Sequence, residues 1–386
     1  MADQRVSSTA ATLAVFVEVV WAPRARRRLA PKTWARDSIV YEKHVRPALG
    51  DIPIAAIDVE VLVEWQDGLE EAGVGAPTLT KAMSIASSIF QEAARRPRST
   101  GVTGNPVALL ERPRARRRRQ PLVWGPVVVE RVRFQLLARS RRIGRGKPLA
   151  AMRDALLVSL MEMTGCRPGE ALGMRWSDIG ERIAIARRLS GKDVVEGTKT
   201  GRHRSTPLLE PLRSDLDQLR QLSDAAAGEY VFRTPAGGHW VETDWRNYRS
   251  RHFRPALDRV EAEWDEWRAG IPDPAAVRES VAGLSATRPY DLGRHTHSAL
   301  MLASGMSLQR LAHIQGHGIR VLDEAYSEQL TEFEERAERI DPVREIEVAR
   351  NLVWPSRSGK NKGRVSGSSH SKLPAIATSR ALSRPI

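Results

Sequence analysis

At 386 residues with 41% hydrophobic content, the chain is long enough for two domains with real cores, which excludes a mainly disordered protein. A formal charge of +15 and a pI near 10.6, with the basic residues bunched, describe a field that attracts polyanions, so nucleic acid leads the candidate partners. The single cysteine rules out an intrachain disulfide or a thiolate metal cluster, and neither an export pattern at Met1-Ala2-Asp3-Gln4-Arg5 nor a bilayer-length apolar run is present, so a soluble cytoplasmic protein without membrane contact is expected.

In chain order, Thr12 to Trp21 is predicted as an apolar helix carrying Leu13, Phe16, Val17 and Val20. The basic cluster Arg24, Arg26, Arg27 and Arg28 follows, and a second helical stretch starts at Pro31, where proline suits a first turn. The spacing of Val61, Leu62, Trp65 and Leu69 predicts a helix over Val59 to Glu71. Leu79, Met83, Ile85, Ala86, Ile89 and Phe90 predict another over Thr78 to Arg95. Residues 1–111 thus read as a small all-helical domain. Residues 112–122 are too charged and proline-flanked to pack, and they mark a basic linker. Its Arg116, Arg117, Arg118 and Arg119 are either a solvated spacer or a strip laid along a phosphate backbone.

Residues 123–352 read as a mixed α+β domain. An apolar helix from Asp154 to Met163 breaks at Gly165, and Pro168 opens a second helix to Arg175. Ile183 to Ala186 and Arg204 to Leu208 read as strands flanking Gly191 and the turn Gly197-Thr198-Lys199-Thr200-Gly201. Asp258 to Ala286 shows no assignable pattern. Arg294 is expected to open a helix that stops at Gly305, and Ser307 to Gln315 makes a short helix closed by Gly316. Ile319 to Leu330 is amphipathic, with Ile319 and Leu322 expected to bury and Tyr326 free to face either way. The fold class is mainly α with a small antiparallel β-sheet. Residues 353–386 form a basic tail, with seven Lys/Arg and no acid after Trp354, and are expected to be disordered.

Within this layout a set of residues carries a chemical reading. Arg167 falls at a helix N-terminus, where free N–H groups favour an anion and a planar guanidinium matches two phosphate oxygens. Its plain alternative is a salt bridge to Glu170. Cys166 reads as a small buried apolar residue. Lys199 sits in a glycine-flanked turn that can push an ammonium into a cleft, with Lys192 as competitor. Arg294 would supply a second guanidinium, and His317 can donate a hydrogen bond to a phosphate oxygen. Tyr326, nine residues beyond His317, is a candidate nucleophile. The chain has no Gly-X-X-X-X-Gly-Lys-Ser/Thr loop for ATP and no His-Glu-X-X-His, and no metal site is expected.

Thr164-Gly165-Cys166-Arg167-Pro168-Gly169-Glu170, Arg294, Gly316-His317 and Tyr326 together resemble the catalytic boxes of the tyrosine recombinase (phage integrase) family. The resemblance implies a DNA breaking-rejoining fold, in which a helical core-binding domain and a mixed catalytic domain act on double-stranded DNA. It implies a site-specific recombinase that cuts and reseals strands through a 3′-phosphotyrosyl intermediate, as a homotetramer on paired sites, with no required high-energy cofactor. It gives Arg167, Lys199, Arg294, His317 and Tyr326 catalytic roles, with Lys199 protonating the leaving 5′ oxygen.

Family members usually carry His-X-X-Arg where this chain has Tyr290-Asp291-Leu292-Gly293-Arg294. Either Tyr290 substitutes through a glycine bulge, or Asp291 falls in register as an acceptor, with His295 or His297 available to compensate. A phage or mobile-element integrase is favoured over a chromosome-dimer resolvase because of the tail. The alternatives are a type IB topoisomerase-like enzyme and an accessory DNA-binding protein that has lost cleavage. A helix from Thr331 to Asn351 is expected to dock on a neighbouring subunit.

Overall fold

A computed structural model describes residues 11–113, 122–142, 148–198, 203–334 and 339–354. The chain divides into two compact units, Met1–Arg119 and Gln120–Ile386. Lys199, Arg116 to Arg119 and the tail beyond Trp354 lie outside the described residues.

The first unit is helical. Its helix α1 runs continuously through Leu13–Phe16, a π turn Val17–Trp21, and Ala22–Arg28. The Arg24 to Arg28 cluster therefore belongs to the last turns of α1 instead of following it, and its arginines are exposed while Ala25 buries. Helix α2 joins Pro31–Val40, Tyr41–Val45 and Arg46–Leu49; α3 is Val59–Glu71, capped by the Asp58 carboxylate; α4 is Ala76–Ala94. Their apolar faces bring Leu13, Val45, Leu62, Ala82, Ile89 and Phe90 into one core. The buried indoles keep partners for their N–H groups: Trp21 Nε1 donates to Ser88 Oγ at 2.7 Å and Trp65 Nε1 to the His44 carbonyl at 2.8 Å.

The second unit is organised by a central helix. Helix α5 is Pro126–Arg142, and α6 is Pro148–Thr164, whose residues from Asp154 to Thr164 are all buried. The short α7 is Pro168–Leu172, and α8 is Glu210–Ser223. Helix α9 runs through Glu242–Tyr248, Arg249–Phe253 and Arg254–Ala269. Helix α10 comprises a π turn Asp291–His295 continued by Thr296–Ala303. A helix as buried as α6 must be covered all round, and α5, α7, α8 and α10 pack against it. The last part of α9 occupies the start of the stretch without an assignable pattern; it buries Leu257, Val260 and Trp264 and exposes Asp258, Asp265 and Glu266.

Two antiparallel ladders lie between α7 and α8. Strands β1 (Arg182–Ile185) and β4 (Arg204–Pro207) pair with Ile183 opposite Thr206, and β2 (Arg187–Ser190) and β3 (Asp193–Glu196) form a hairpin with its turn at Gly191. The β2–β3 pair is not predicted from sequence because its residues are at most half-buried and lack an alternating apolar pattern. The chain continues with α11 (Leu308–Gln315), α12 (Ile319–Glu334) and α13 (Pro342–Val353).

Packing corrects several expectations. Helix α7 stops at Leu172, where Gly173 ends it, and not at Arg175. Arg294 does not open a helix; it lies inside one, in the π turn, because Tyr290 before it is already helical. Ile319 is exposed whereas Leu322 and Tyr326 bury, so α12 turns its tyrosine inward. Thr331 to Asn351 is not one helix: residues 339–341 are not helical, and α13, which starts at Pro342, packs on α5 of its own chain.

Candidate active site

The site is assembled where α6 ends. Gly165 follows α6 with φ +62°, a backbone that glycine adopts freely, and a Cβ there would come within 2.6 Å of the His297 ring and 2.8 Å of Gln315 Nε2. This tight corner aims the Gly165 carbonyl at the Arg294 guanidinium, whose Nη1 donates to it. Arg294 Nη2 donates to the Gln315 carbonyl at 2.6 Å. One residue on, the Gly316 carbonyl accepts from Arg167 Nη2 at 3.0 Å. Arg167 and Arg294, distant in sequence, are thus tethered to adjacent carbonyls at the end of α11.

Arg167 is the N-cap of α7, with the Glu170 carboxylate accepting from its backbone N–H at 2.8 Å and from its Nη1 at 3.0 Å. The salt bridge to Glu170 is therefore formed, with Arg167 standing at the helix start. Glu170 is shared with Arg204 of β4, which reads from sequence only as a strand residue. Arg204 Nε also donates to the Ile314 carbonyl at 2.7 Å, so it ties the ladder to α11. Burial alone would raise the Glu170 carboxyl; Arg204 and Arg167 outweigh it and hold it below the usual carboxylate range.

The end of α11 is closed by Gly316 in the left-handed region, and His317 follows. His317 is half-buried, and burial together with Arg294, Arg167, His295 and Arg204 pushes its imidazole down to about 3. A neutral ring there still has one N–H to donate. Arg294 is 1% exposed; burial lowers it to about 10, with Arg167 and Arg204 adding repulsion, so it stays cationic at neutral pH.

Tyr326 is buried on α12, 1% exposed, and its hydroxyl is hydrogen-bonded to His295 Nδ1. Burial raises the phenol above its ordinary value, while the Ser298 hydroxyl and Arg294 pull the other way. The ring is thus interior, but it stays beside the guanidinium cluster. His295 follows Arg294 directly, and its ring lies 5.9 Å from that of Tyr326.

The departure from His-X-X-Arg acquires a structural form. The π turn accommodates one extra residue, and Gly293 within it lies so close on α6 that a Cβ would collide with Met161. Tyr290 packs its ring 5.8 Å from the Arg294 guanidinium carbon and edge-on to His295 at 5.2 Å. Asp291 turns to Arg288, accepting at 2.7 and 2.8 Å, and to His295 Nε2 at 3.6 Å. His297 faces elsewhere, its Nδ1 bonded to the Glu162 carbonyl at 2.9 Å.

Other candidates take no part in these hydrogen bonds. Cys166 is fully buried, and burial pushes its thiol up to about 11, which keeps it protonated and unreactive. Lys192 is exposed at the β2–β3 turn. In the first unit, Arg24 is paired with Glu92 at 2.6 Å, which Arg95 and Arg96 also contact. Among the described residues, no three His, Cys, Asp or Glu side chains are grouped to hold a metal ion, and no helix is long and apolar enough to cross a membrane.

Two guanidiniums, two histidines and a tyrosine hydroxyl are thus gathered beside one helix end. The phage integrase family matches residues 135–326, and the N-terminal SAM-like domain of phage integrases matches residues 12–69. The tyrosine recombinase XerC of Rhodospirillum centenum is 25% identical over 283 residues, covering 73% of this chain and 70% of the relative. A lambda integrase (75-356) dimer bound to a COC' core site has a TM-score of 0.56 at 18% identity, over 86% of this chain and 99% of that one. A lambda integrase tetramer bound to a Holliday junction gives 0.53 at 17% identity, over 80% and 77%. The chain belongs to the phage integrase family of tyrosine recombinases and is a site-specific recombinase of the tyrosine type.

Proposed function

We propose that Tyr326 is the nucleophile with which this recombinase cuts and rejoins DNA, attacking a backbone phosphodiester to form a 3′-phosphotyrosine and release a 5′ hydroxyl. The observation that carries this reading is the anchoring of Arg167 and Arg294 to the neighbouring Gly316 and Gln315 carbonyls, with the Tyr326 hydroxyl held against the residue after Arg294. Those two cations stabilise the charge that builds on the phosphoryl oxygens, and His317 donates a further hydrogen bond. The carbonyl tethers hold the two guanidiniums in place, and their remaining N–H groups serve the phosphate without large reorganisation. Lys199 is assigned to protonate the leaving 5′ oxygen. The covalent link conserves the phosphodiester's energy, so a 5′ hydroxyl of another strand reseals it without a high-energy cofactor.

Arg24, Arg26, Arg27 and Arg28 of α1 and the linker arginines Arg116 to Arg119 are assigned to the phosphate backbone of the duplex. By analogy with the lambda integrase tetramer on a Holliday junction, four chains act together on paired sites. The test uses a nicked duplex selected for tight binding from a random-sequence pool, so that a cleaved strand diffuses away and the adduct accumulates. Wild type forms a covalent protein–DNA adduct, and Tyr326→Phe binds with unchanged affinity and forms none. Adduct formation by Tyr326→Phe, or tight binding by wild type with no adduct, overturns the assignment.

A further inference from the structure

The imidazole of His295 stands between two groups that define its chemistry. On one side Nδ1 is hydrogen-bonded to the Tyr326 hydroxyl, and on the other Nε2 lies 3.6 Å from Asp291 Oδ1. The two ring nitrogens of a neutral imidazole cannot both carry a proton. A carboxylate facing Nε2 favours the tautomer with the proton there, which leaves the Nδ1 lone pair to accept from the phenol. Asp291 is held in place by two bonds from Arg288, at 2.7 and 2.8 Å, and the Tyr290 ring braces His295 edge-on.

We propose that His295 is the general base that takes the proton from Tyr326 as it attacks, and that Asp291 is the residue that positions it and balances its charge. This rests on Tyr326 being the nucleophile. In the step, the Tyr326 O–H proton passes to His295 Nδ1, the freed oxygen lone pair forms the O–P bond, and the P–O5′ bond breaks. The leaving 5′ oxygen takes its proton from the ammonium of Lys199. His295 becomes an imidazolium with N–H groups toward both Tyr326 and Asp291. On rejoining, the 5′ hydroxyl attacks phosphorus and gives its proton to the Lys199 amine, while His295 returns its own to the tyrosine.

The groups facing His295 are Asp291, Arg288, Arg294 and Tyr290 of its own segment, Tyr326 of α12, and His317 after α11. Burial outweighs the pull of Asp291, Arg294 and Arg288 add to it, and the free ring is lowered to about 4, so it is an empty acceptor at neutral pH. A phosphate bound by Arg167 and Arg294 brings negative charge to the same place and raises its basicity.

The experiment measures adduct formation by the full chain on the same nicked duplex as a function of pH. His295→Gln is expected to bind DNA normally and form adduct about 10²- to 10⁴-fold more slowly, the range for loss of a positioned base. Its rate is expected to rise about tenfold per pH unit above neutrality, where hydroxide replaces the base, while wild type stays level. Asp291→Asn is expected to give a smaller loss with the same change in profile, a shift that a purely structural role for Asp291 would not produce. On a substrate with sulfur in place of the bridging 5′ oxygen, which leaves without a proton, the His295→Gln defect is expected to persist. Full rescue on that substrate, or a His295→Gln rate within about threefold of wild type with an unchanged profile, overturns the proposal. A second readout needs no His295 variant: ¹⁵N-histidine spectra should show His295 as the Nε2–H tautomer, with its Nδ1 signal moved by Tyr326→Phe. An unmoved signal overturns the proposal as well. Adduct in wild type and none in Tyr326→Phe keeps the nucleophile assignment intact whichever way His295 falls.

Discussion

Gly165 has no side chain, and that lack helps to place a charge 129 residues further along the chain. Its φ of +62° and the approach of His297 and Gln315 leave no room for a Cβ, and its carbonyl is one of the two that Arg294 grips. Gly191 has a similar φ of +70° but nothing near its Cβ position. The two therefore separate backbone strain from crowding. Gly191→Ala is expected to cost roughly 1–2 kcal/mol, for the left-handed conformation alone. Gly165→Ala adds overpacking and is expected to cost roughly 2–5 kcal/mol in urea denaturation, with a loss of adduct formation as Arg294 shifts. Equal costs at the two positions would show that crowding at Gly165 is relieved by movement of its neighbours.

Among elements, α13 owes its seat to a buried charge cluster. Arg350 Nε donates to Glu130 Oε1 at 3.0 Å, its Nη2 to Asp215 Oδ2 at 2.6 Å and its Nη1 to the Pro211 carbonyl at 2.9 Å. Arg133 bonds the same two carboxylates, each at 2.6 Å, and Trp354 Nε1 donates to Glu130 at 3.2 Å. Nearby Glu162 is pushed up to about 8 by burial and by the Glu130 charge, so it is mostly neutral at pH 7 and adds little negative charge. The cluster joins α5, α8 and α13. Arg350→Met leaves two buried carboxylates sharing one arginine and is expected to cost about 3–5 kcal/mol of unfolding free energy by denaturant titration. A cost below about 1 kcal/mol would mean that water replaces the missing hydrogen bonds.

For the molecule as a whole, the excess of +15 charges matters through its meeting with phosphates. Changing Arg116, Arg117, Arg118 and Arg119 to Ala is expected to reduce the slope of log affinity against log salt by roughly 0.9 for each phosphate no longer neutralised, about 3–4 in all if every arginine engages. An unchanged slope would return the run to a solvated spacer. The same substitutions are expected to leave the unfolding of each unit unaltered, because arginines are rarely part of a buried core.

The amphipathic helices of the first unit, the buried α6, the N-cap position of Arg167 and the ordered boxes ending at Tyr326 were legible in the sequence, because helical periodicity, proline at first turns and glycine at stops are local signals. Local signals also misled: Arg294 read as a helix start, whereas it lies inside a π turn in which Gly293 serves close approach to Met161. The role of Arg204, the inward turn of Tyr326, the separate settings of Tyr290, Asp291, His295 and His297, and the docking of α13 on its own chain depend on which segments meet. Sequence determined the composition of the site; packing between α6, α10, α11 and α12 decided its wiring, since hydrogen-bond partners and desolvation are set by neighbours that spacing along the chain does not specify.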